Sequence, residues 1–143
     1  MTIKVMYHTV TGNTETVAAS IASACGVRSE AISESNSAGA VDLLFLGDGD
    51  YDKKPADVTL NFIARLVPDK VKQVAVFGTY RQTNAAIQEM VNAIKKRGIK
   101  VYDETFGCKG KYNVIFNSKH PDDADLNNAI QFANKVIRAA KTK

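Results

Sequence analysis

The chain reads as a doubly wound α/β domain: a five-stranded parallel sheet of order 2-1-3-4-5 with helices on both faces. Three observations predict it. Five short strand-like apolar runs alternate with segments whose apolar residues recur at helical spacing. Alternation of this kind requires parallel pairing through right-handed crossovers, which puts helices on both faces of the sheet. At 143 residues it fills a single domain, 1–143, with no linker, repeat or low-complexity stretch left over.

The first run, Ile3 to His8, is short and apolar and suits a strand. Asn13 to Cys25 carries Val17, Ile21 and Cys25 at helical spacing, which predicts a buried Cys25, and Gly26 supplies the stop. Val27 to Ile32 follows as a short strand, whereas Ser33 to Ala40 is too polar and too short for a helix of normal length. Val41 to Leu46 is apolar enough for a central strand covered on both faces. Pro55 opens a helix near its first turn, with Val58, Phe62 and Leu66 along its stripe. Val71 to Phe77 is the fourth strand, ending at Gly78. Thr83 then caps a helix running to Arg97, with Ile87, Val91 and Ile94 on one face and Gly98 as its stop. Ile99 to Phe106 reads as the fifth strand. Asp122 to Lys141 closes the chain with Leu126, Ile130, Ala133, Ile137 and Ala140 at helical spacing.

Hydrophobic residues make up 45% and charged residues 24%, as in soluble globular proteins. No apolar run approaches the ~20 residues of a membrane span. The start of the chain leads straight into a strand and lacks a signal peptide's apolar region and cleavage site. Cys25 and Cys108 are too few and too scattered for a disulfide framework. Nothing in these features points outside the cytoplasm, which is the expected location. A net charge of +4 admits nucleic acid as a partner, but the basic residues are dispersed, with short clusters only at Lys95-Lys96-Arg97 and the C-terminus. There is no aromatic–basic interleaving of the kind single-strand binders use. Arg138, Lys141 and Lys143 suit the negative end of the last helix. Neither nucleic acid nor membrane is an expected partner. No paired carboxylates, Ser-His-Asp set or metal-ligand cluster stands out, so no catalytic group and no metal site is expected.

In doubly wound sheets ligands bind beyond the carboxyl ends of the strands, at the switch point beside strand one. Function is therefore sought just after His8, Leu46, Phe77 and Phe106. Thr9-Val10-Thr11-Gly12-Asn13-Thr14 joins the first strand to the first helix. Unpaired N–H groups at that helix start, together with three hydroxyls and an amide, make an anion site. Capping alone needs one such residue. The loop contains no Lys or Arg, so it suits a phosphate monoester rather than the triphosphate of a Walker loop. The other ends carry Gly47-Asp48-Gly49-Asp50-Tyr51-Asp52, then Gly78-Thr79-Tyr80-Arg81-Gln82-Thr83, then Gly107-Cys108-Lys109-Gly110-Lys111 and the run from Tyr112 to Pro121. His8 reads as a packed or capping histidine and His120 as a loop residue before Pro121. Cys108 has no histidine neighbour in sequence and reads as an ordinary thiol.

The run Tyr7-His8-Thr9-Val10-Thr11-Gly12-Asn13-Thr14-Glu15 resembles the phosphate-binding loop of flavodoxins, whose core is Ser/Thr-x-Thr-Gly-Asn-Thr after the first strand. Over its whole length the chain is similar to a short-chain, divergent flavodoxin-like protein. The resemblance implies FMN as cofactor. Thr9, Thr11, Asn13 and Thr14 would bind its phosphate through side chains, Val10 would share that loop, and Gly12 would allow close backbone approach. Asp48, Gly49, Asp50 and Tyr51 would form the loop over one flavin face, with Tyr51 stacking on the ring. Gly49-Asp50 would be the step whose peptide turns over to accept a hydrogen bond from reduced flavin N5. Gly78, Thr79, Tyr80 and Arg81 would form the second flavin-contacting loop, with Tyr80 as the second ring neighbour. The Gly-Asp pair and further aromatic that many relatives carry there are missing.

The same resemblance implies shuttling of low-potential electrons between redox partner proteins; with little room for a substrate pocket beyond the flavin edge, a carrier is expected rather than an independent enzyme, and a monomer. Lys53, Lys54, Arg81, Lys109 and Lys111 fall at the same sheet end as Asp48, Asp50 and Asp52, which implies partners with an acidic docking face. Other readings stay open. A flavodoxin-like protein dedicated to one reductase, or activating one enzyme, differs only in its partner. A phosphorelay receiver domain shares the fold, with Asp48, Thr79 and Lys109 at its key positions, but needs an acidic pair for Mg²⁺ where this chain has His8-Thr9. A flavodoxin-like domain that had lost FMN would leave the phosphate loop without a role.

Overall fold

The computed structural model describes residues 1–111 and 119–142. Among them, strands β1 (Ile3–Tyr7), β2 (Ser29–Ala31), β3 (Leu43–Asp48), β4 (Val74–Tyr80) and β5 (Phe106–Lys109) form one parallel sheet in the order β2-β1-β3-β4-β5. The connecting helices are α1 (Asn13–Cys25), α2 (Asp57–Ala64) and α3 (Ala85–Lys96), and α4 (Asp123–Lys141) follows β5. This is the order the alternating pattern predicts.

The two-residue period of the strands sorts their side chains between two cores. Met6, Leu44, Leu46 and Val76 face Phe62 and Ile63 of α2 and Ile87, Met90 and Ile94 of α3. Val5, Tyr7, Phe45 and Phe77 face Val17 and Ile21 of α1 and Phe132, Ala133 and Val136 of α4. All six residues of β3 are buried, as double cover requires. Among the described residues no helix is long and apolar enough to cross a membrane.

Several boundaries depart from the sequence reading. β3 continues through Gly47-Asp48 and β4 through Gly78-Thr79-Tyr80, all of which read as loop. Each of these residues has a paired neighbour: Tyr7 opposite Gly47, Asp48 opposite Gly78, and Tyr80 opposite Lys109. Backbone pairing, rather than apolarity, therefore sets where a central strand stops. The expected fifth strand, Ile99–Phe106, is displaced. Val101 makes only an isolated bridge to Val74, and regular pairing resumes at Phe106. The polar trio Asp103-Glu104-Thr105 interrupts the run at this open edge of the sheet.

The helices shift less. Asn84, not Thr83, holds the N-cap position of α3, and Thr83 is exposed. Cys25 is half-buried rather than buried, at the last position of α1. Gly26 ends that helix at φ 71°, in the left-handed region the stop requires. The buried stripe of α4 is Ala129, Phe132, Ala133 and Val136, turned from the expected one so that Leu126, Ile130, Ile137 and Ala140 are half-buried. Phe132 sets that rotation, packing among the rings of Phe45, Tyr102 and Phe106.

Gly47 of β3 lies against Phe77 of the neighbouring β4. A Cβ there would fall 2.2 to 2.5 Å from the ring of the fully buried Phe77. Gly47→Ala is therefore expected to destabilise the fold by about 1–3 kcal/mol. The check is urea unfolding, which should give a lower midpoint with an unchanged slope.

Candidate cofactor site at the carboxyl edge of the sheet

The turn from β1 into α1 leaves backbone N–H groups without helical acceptors. Gly12 adopts φ 93°, a left-handed conformation open to glycine. Its N–H donates to Thr9 Oγ1 at 2.9 Å, closing the turn. Its carbonyl accepts from the N–H of Thr16 at 3.1 Å and from Thr16 Oγ1 at 3.0 Å. The N–H groups of Asn13, Thr14 and Glu15 precede that first helical bond and have no acceptor within the helix, and Gly12 offers no capping side chain. The positive end of the helix dipole coincides with them.

Three of the four polar side chains of this turn act as braces. Thr9 holds Gly12 as above. Asn13 Nδ2 donates to the carbonyl of Lys111 at 2.8 Å, and Thr14 Oγ1 pairs with Thr79 Oγ1 at 2.8 Å in a buried contact. Thr11 alone is exposed. Gly110 lets Asn13 approach, since a Cβ there would lie 2.6 Å from Asn13 Nδ2.

A cavity of about 220 Å³ opens over this turn. Thr9, Val10, Thr11, Asn13 and Thr14 line it from the turn, and Gly49, Asp50 and Tyr51 from the segment after β3. Thr79, Tyr80 and Arg81 line it from the end of β4, with Gly110 and Lys111 beside them. A second cavity of about 330 Å³ shares Asp50 and Arg81 and extends along Asp52, Lys53, Gln82 and Thr83. Asp50 Oδ1 accepts from the N–H of Lys53 at 2.7 Å, while its Oδ2 is buried with no partner among the described residues. That oxygen is an acceptor without a donor.

Gly12, Asp48 and Gly78 do not line either cavity. Gly12 shapes the turn. Gly78 is needed for packing, since a Cβ there would lie 2.8 Å from both the Asp48 carbonyl oxygen and Ile87 Cγ1. Asp48 lies behind the wall, 1% exposed. Its Oδ1 accepts from the N–H of Gly49 at 2.6 Å and from His8 Nδ1 at 2.9 Å. Its Oδ2 accepts from the N–H of Ala56 at 2.9 Å and from Thr59 Oγ1 at 2.6 Å. With both oxygens enclosed, and Thr79 turned to Thr14, neither group is presented to a phosphoryl donor as a receiver domain requires.

His8 reaches further. Its Nδ1 lies 3.3 Å from the Tyr51 hydroxyl, and the two rings meet edge to face at 5.7 Å between centroids. Burial, then the charge of Asp48 and a hydrogen bond to it, raises the Tyr51 phenol above its ordinary pKa, while the N–H groups of Gly49 and Val10 pull it the other way. Tyr51 is thus a neutral phenol at physiological pH. Sequence reasoning missed the His8–Asp48 pair. The available signal was an imidazole and a carboxylate at the carboxyl ends of two strands expected to be neighbours.

Tyr51 also opens a tight turn, exchanging backbone hydrogen bonds with Lys54 at 2.8 and 3.3 Å. Asp52 and Lys53 at its tip have φ of 58° and 68°. Gly49 lies outside that left-handed pair and sits beneath the Tyr51 hydroxyl.

Burial raises the Cys25 thiol to about 11. Burial, with the charges of Asp125 and Asp122, raises Cys108 to about 12. Both thiols are therefore protonated and unreactive near neutrality. His120 bonds Asp125 at 2.7 Å, and Asp125 forms a capping box with Asp122 at the start of α4. Residues 112–118 of the run that begins at Tyr112 lie outside the described residues.

No family model and no curated protein sequence matches the chain. Solved structures do. A flavodoxin from the domain Archaea superposes with a TM-score of 0.82 at 18% identity, covering 99% of each chain. Oxidised flavodoxin 2 from Bacillus cereus gives 0.77 at 18% identity, covering 97% of this chain and 99% of its own. A short-chain flavodoxin associated with a bacterial microcompartment gives 0.74 at 18% identity, covering 98% and 99%. With the sheet order and the cavity at its carboxyl edge, these likenesses establish that the chain has the flavodoxin-like fold.

Proposed function

We propose that the chain binds FMN at the carboxyl edge of its sheet and carries electrons between redox partner proteins in the cytoplasm. The observation that carries this reading is the β1–α1 turn: N–H groups of Asn13, Thr14 and Glu15 without helical acceptors, at the positive end of α1, bordering a cavity. The residues present fit the cofactor. A phosphate monoester matches those N–H groups and the exposed Thr11 hydroxyl. A ring system bearing an N–H donor matches the unpartnered Asp50 Oδ2. Tyr51 and Tyr80, both half-buried on the two flanking segments, offer aromatic faces to a planar ring. The first cavity alone is smaller than the roughly 300 Å³ where small-molecule sites begin, and its neighbour brings the hollow into that class.

Bound FMN would supply one- and two-electron chemistry at its ring. The chain's own contribution is binding, shielding and charge. Asp48 is withdrawn behind the wall, so the carboxylates left along the cavities are Asp50 and Asp52. Against them stand Lys53, Lys54, Arg81, Lys109 and Lys111, all exposed. This balance favours the negative charge that reduction adds to a cofactor. Val10, 72% exposed at the rim, offers an apolar contact to a docked partner, while the cations favour an acidic face around it.

Titrating the apo-chain with FMN under visible spectroscopy is the direct test. Stoichiometric binding with a shifted spectrum, and reduction in two resolved one-electron steps, is expected. Absence of binding would remove the reading. The second one-electron potential should be less negative than that of acidic flavodoxins measured alongside, and a value at or below theirs counts against the charge argument. Electron-transfer rates to an acidic partner should fall as ionic strength rises from about 0.01 M to about 1 M, which cuts the Debye length from roughly 30 to 3 Å. Rates independent of salt would exclude the steering.

A further inference from the structure

We infer that His8 and Asp48 form a positioning pair that fixes Tyr51 as a wall of the cofactor cavity. The inference rests on the FMN reading for its functional consequence, and on geometry for its structural part.

A buried carboxylate is stable only when its oxygens are well supplied with donors. Gly49, Ala56 and Thr59 already provide three to Asp48. His8 is the fourth, and it differs from the others in kind. Because a carboxylate only accepts, His8 Nδ1 must carry the proton of the 2.9 Å bond. The Tyr51 oxygen lies 3.3 Å from the same nitrogen and shares that one N–H as its second acceptor, which leaves the phenol O–H directed to Asp48.

The phenol oxygen sits in a polar nest made by His8, Asp48 and the N–H groups of Gly49 and Val10. Gly49 leaves room for it, since a Cβ there would lie 3.0 Å from the Tyr51 oxygen. The other end of the residue is held by the backbone bonds between Tyr51 and Lys54. Tyr51 is therefore tethered at both its backbone and its hydroxyl. An aromatic wall ordered before the ligand arrives spares binding the entropy of ordering it. His8 also directly precedes Thr9, the brace of the β1–α1 turn, so the two sides of the cavity share one support.

The test uses His8→Leu, His8→Asn and Tyr51→Phe in the full chain. An asparagine amide can place its N–H where the imidazole Nδ1–H stands, so it conserves the donor without the ring. Two readouts apply: FMN dissociation constants, and the Tyr51 ring signals of the ligand-free chain labelled with ¹³C-tyrosine, assigned through Tyr51→Phe. His8→Leu should shift the Tyr51 signals and weaken FMN binding about tenfold, while His8→Asn keeps binding within about threefold. His8→Leu combined with Tyr51→Phe should bind no more weakly than His8→Leu alone, because one acts through the other.

Unchanged Tyr51 signals and unchanged affinity in His8→Leu would overturn the inference. So would independent, multiplying losses in the double variant. If His8→Leu fails to fold by circular dichroism, His8→Gln takes its place, its amide carried too far out to match Nδ1. If the wild-type chain binds no FMN, the flavin reading fails, and the Tyr51 signals still decide whether His8 positions the ring.

Discussion

A carboxylate with no exposure at the end of the central strand constrains everything around it. Asp48 cannot be satisfied by its own strand. Its donors come from the end of β1 through His8, from the following peptide at Gly49, and from the start of α2 through Ala56 and Thr59. Removing one donor leaves a buried carboxylate oxygen under-supplied, which costs more than losing an ordinary surface contact. One buried side chain thereby fixes the mouth of β1, the course of the β3–α2 segment and the entry of α2. The same burial removes a negative charge from the cavity wall.

The β1–α1 turn follows a complementary logic. Its hydroxyl and amide groups also brace the turn: Thr9, Asn13 and Thr14 bond to Gly12, Lys111 and Thr79. Beside them stand backbone N–H groups, whose direction a helix start holds without side-chain entropy. The side chains determine the shape of the cradle, and the peptide units fill it with donors. A turn of this kind suits an anion that is bound and kept, since strong binding here needs no flexible lysine.

How much of this could be read from the residues alone divides along physical lines. The sheet order and both cores were legible, because period-2 strands and period-3.6 helices leave local marks, and Gly26 ends α1 where its left-handed φ is required. Strand ends were less legible. Gly47-Asp48 and Gly78-Thr79-Tyr80 are not apolar, yet neighbouring strands pair with them. Residues 99–105 look strand-like, but the polar Asp103-Glu104 step leaves an edge segment with one isolated bridge. Most of the expected site residues do border the cavities. The bonds between them were invisible, because His8 and Asp48 lie 40 residues apart and Thr14 and Thr79 lie 65 apart. Periodicity reports which face a residue occupies, not which partner it finds there.

Charge along the carboxyl edge follows from the same arrangement. Two acidic residues at the start of α4 are engaged locally, with Asp122 and Asp125 closing the capping box and Asp125 bonded to His120. Those after β3 are divided between the interior, at Asp48, and the cavity margin, at Asp50 and Asp52. The exposed cations of this edge lie at or just after the ends of β3, β4 and β5, where Lys53, Lys54, Arg81, Lys109 and Lys111 stand near the cavities outside the β1–α1 turn. On the proposed FMN-carrier reading, a site built this way would separate two tasks. Binding an anion would rely on fixed peptide dipoles, which salt screens little at short range, whereas attracting a partner would rely on exposed charge, which salt screens strongly. Ionic strength would then tune encounter while leaving a bound cofactor in place, the combination that reading requires.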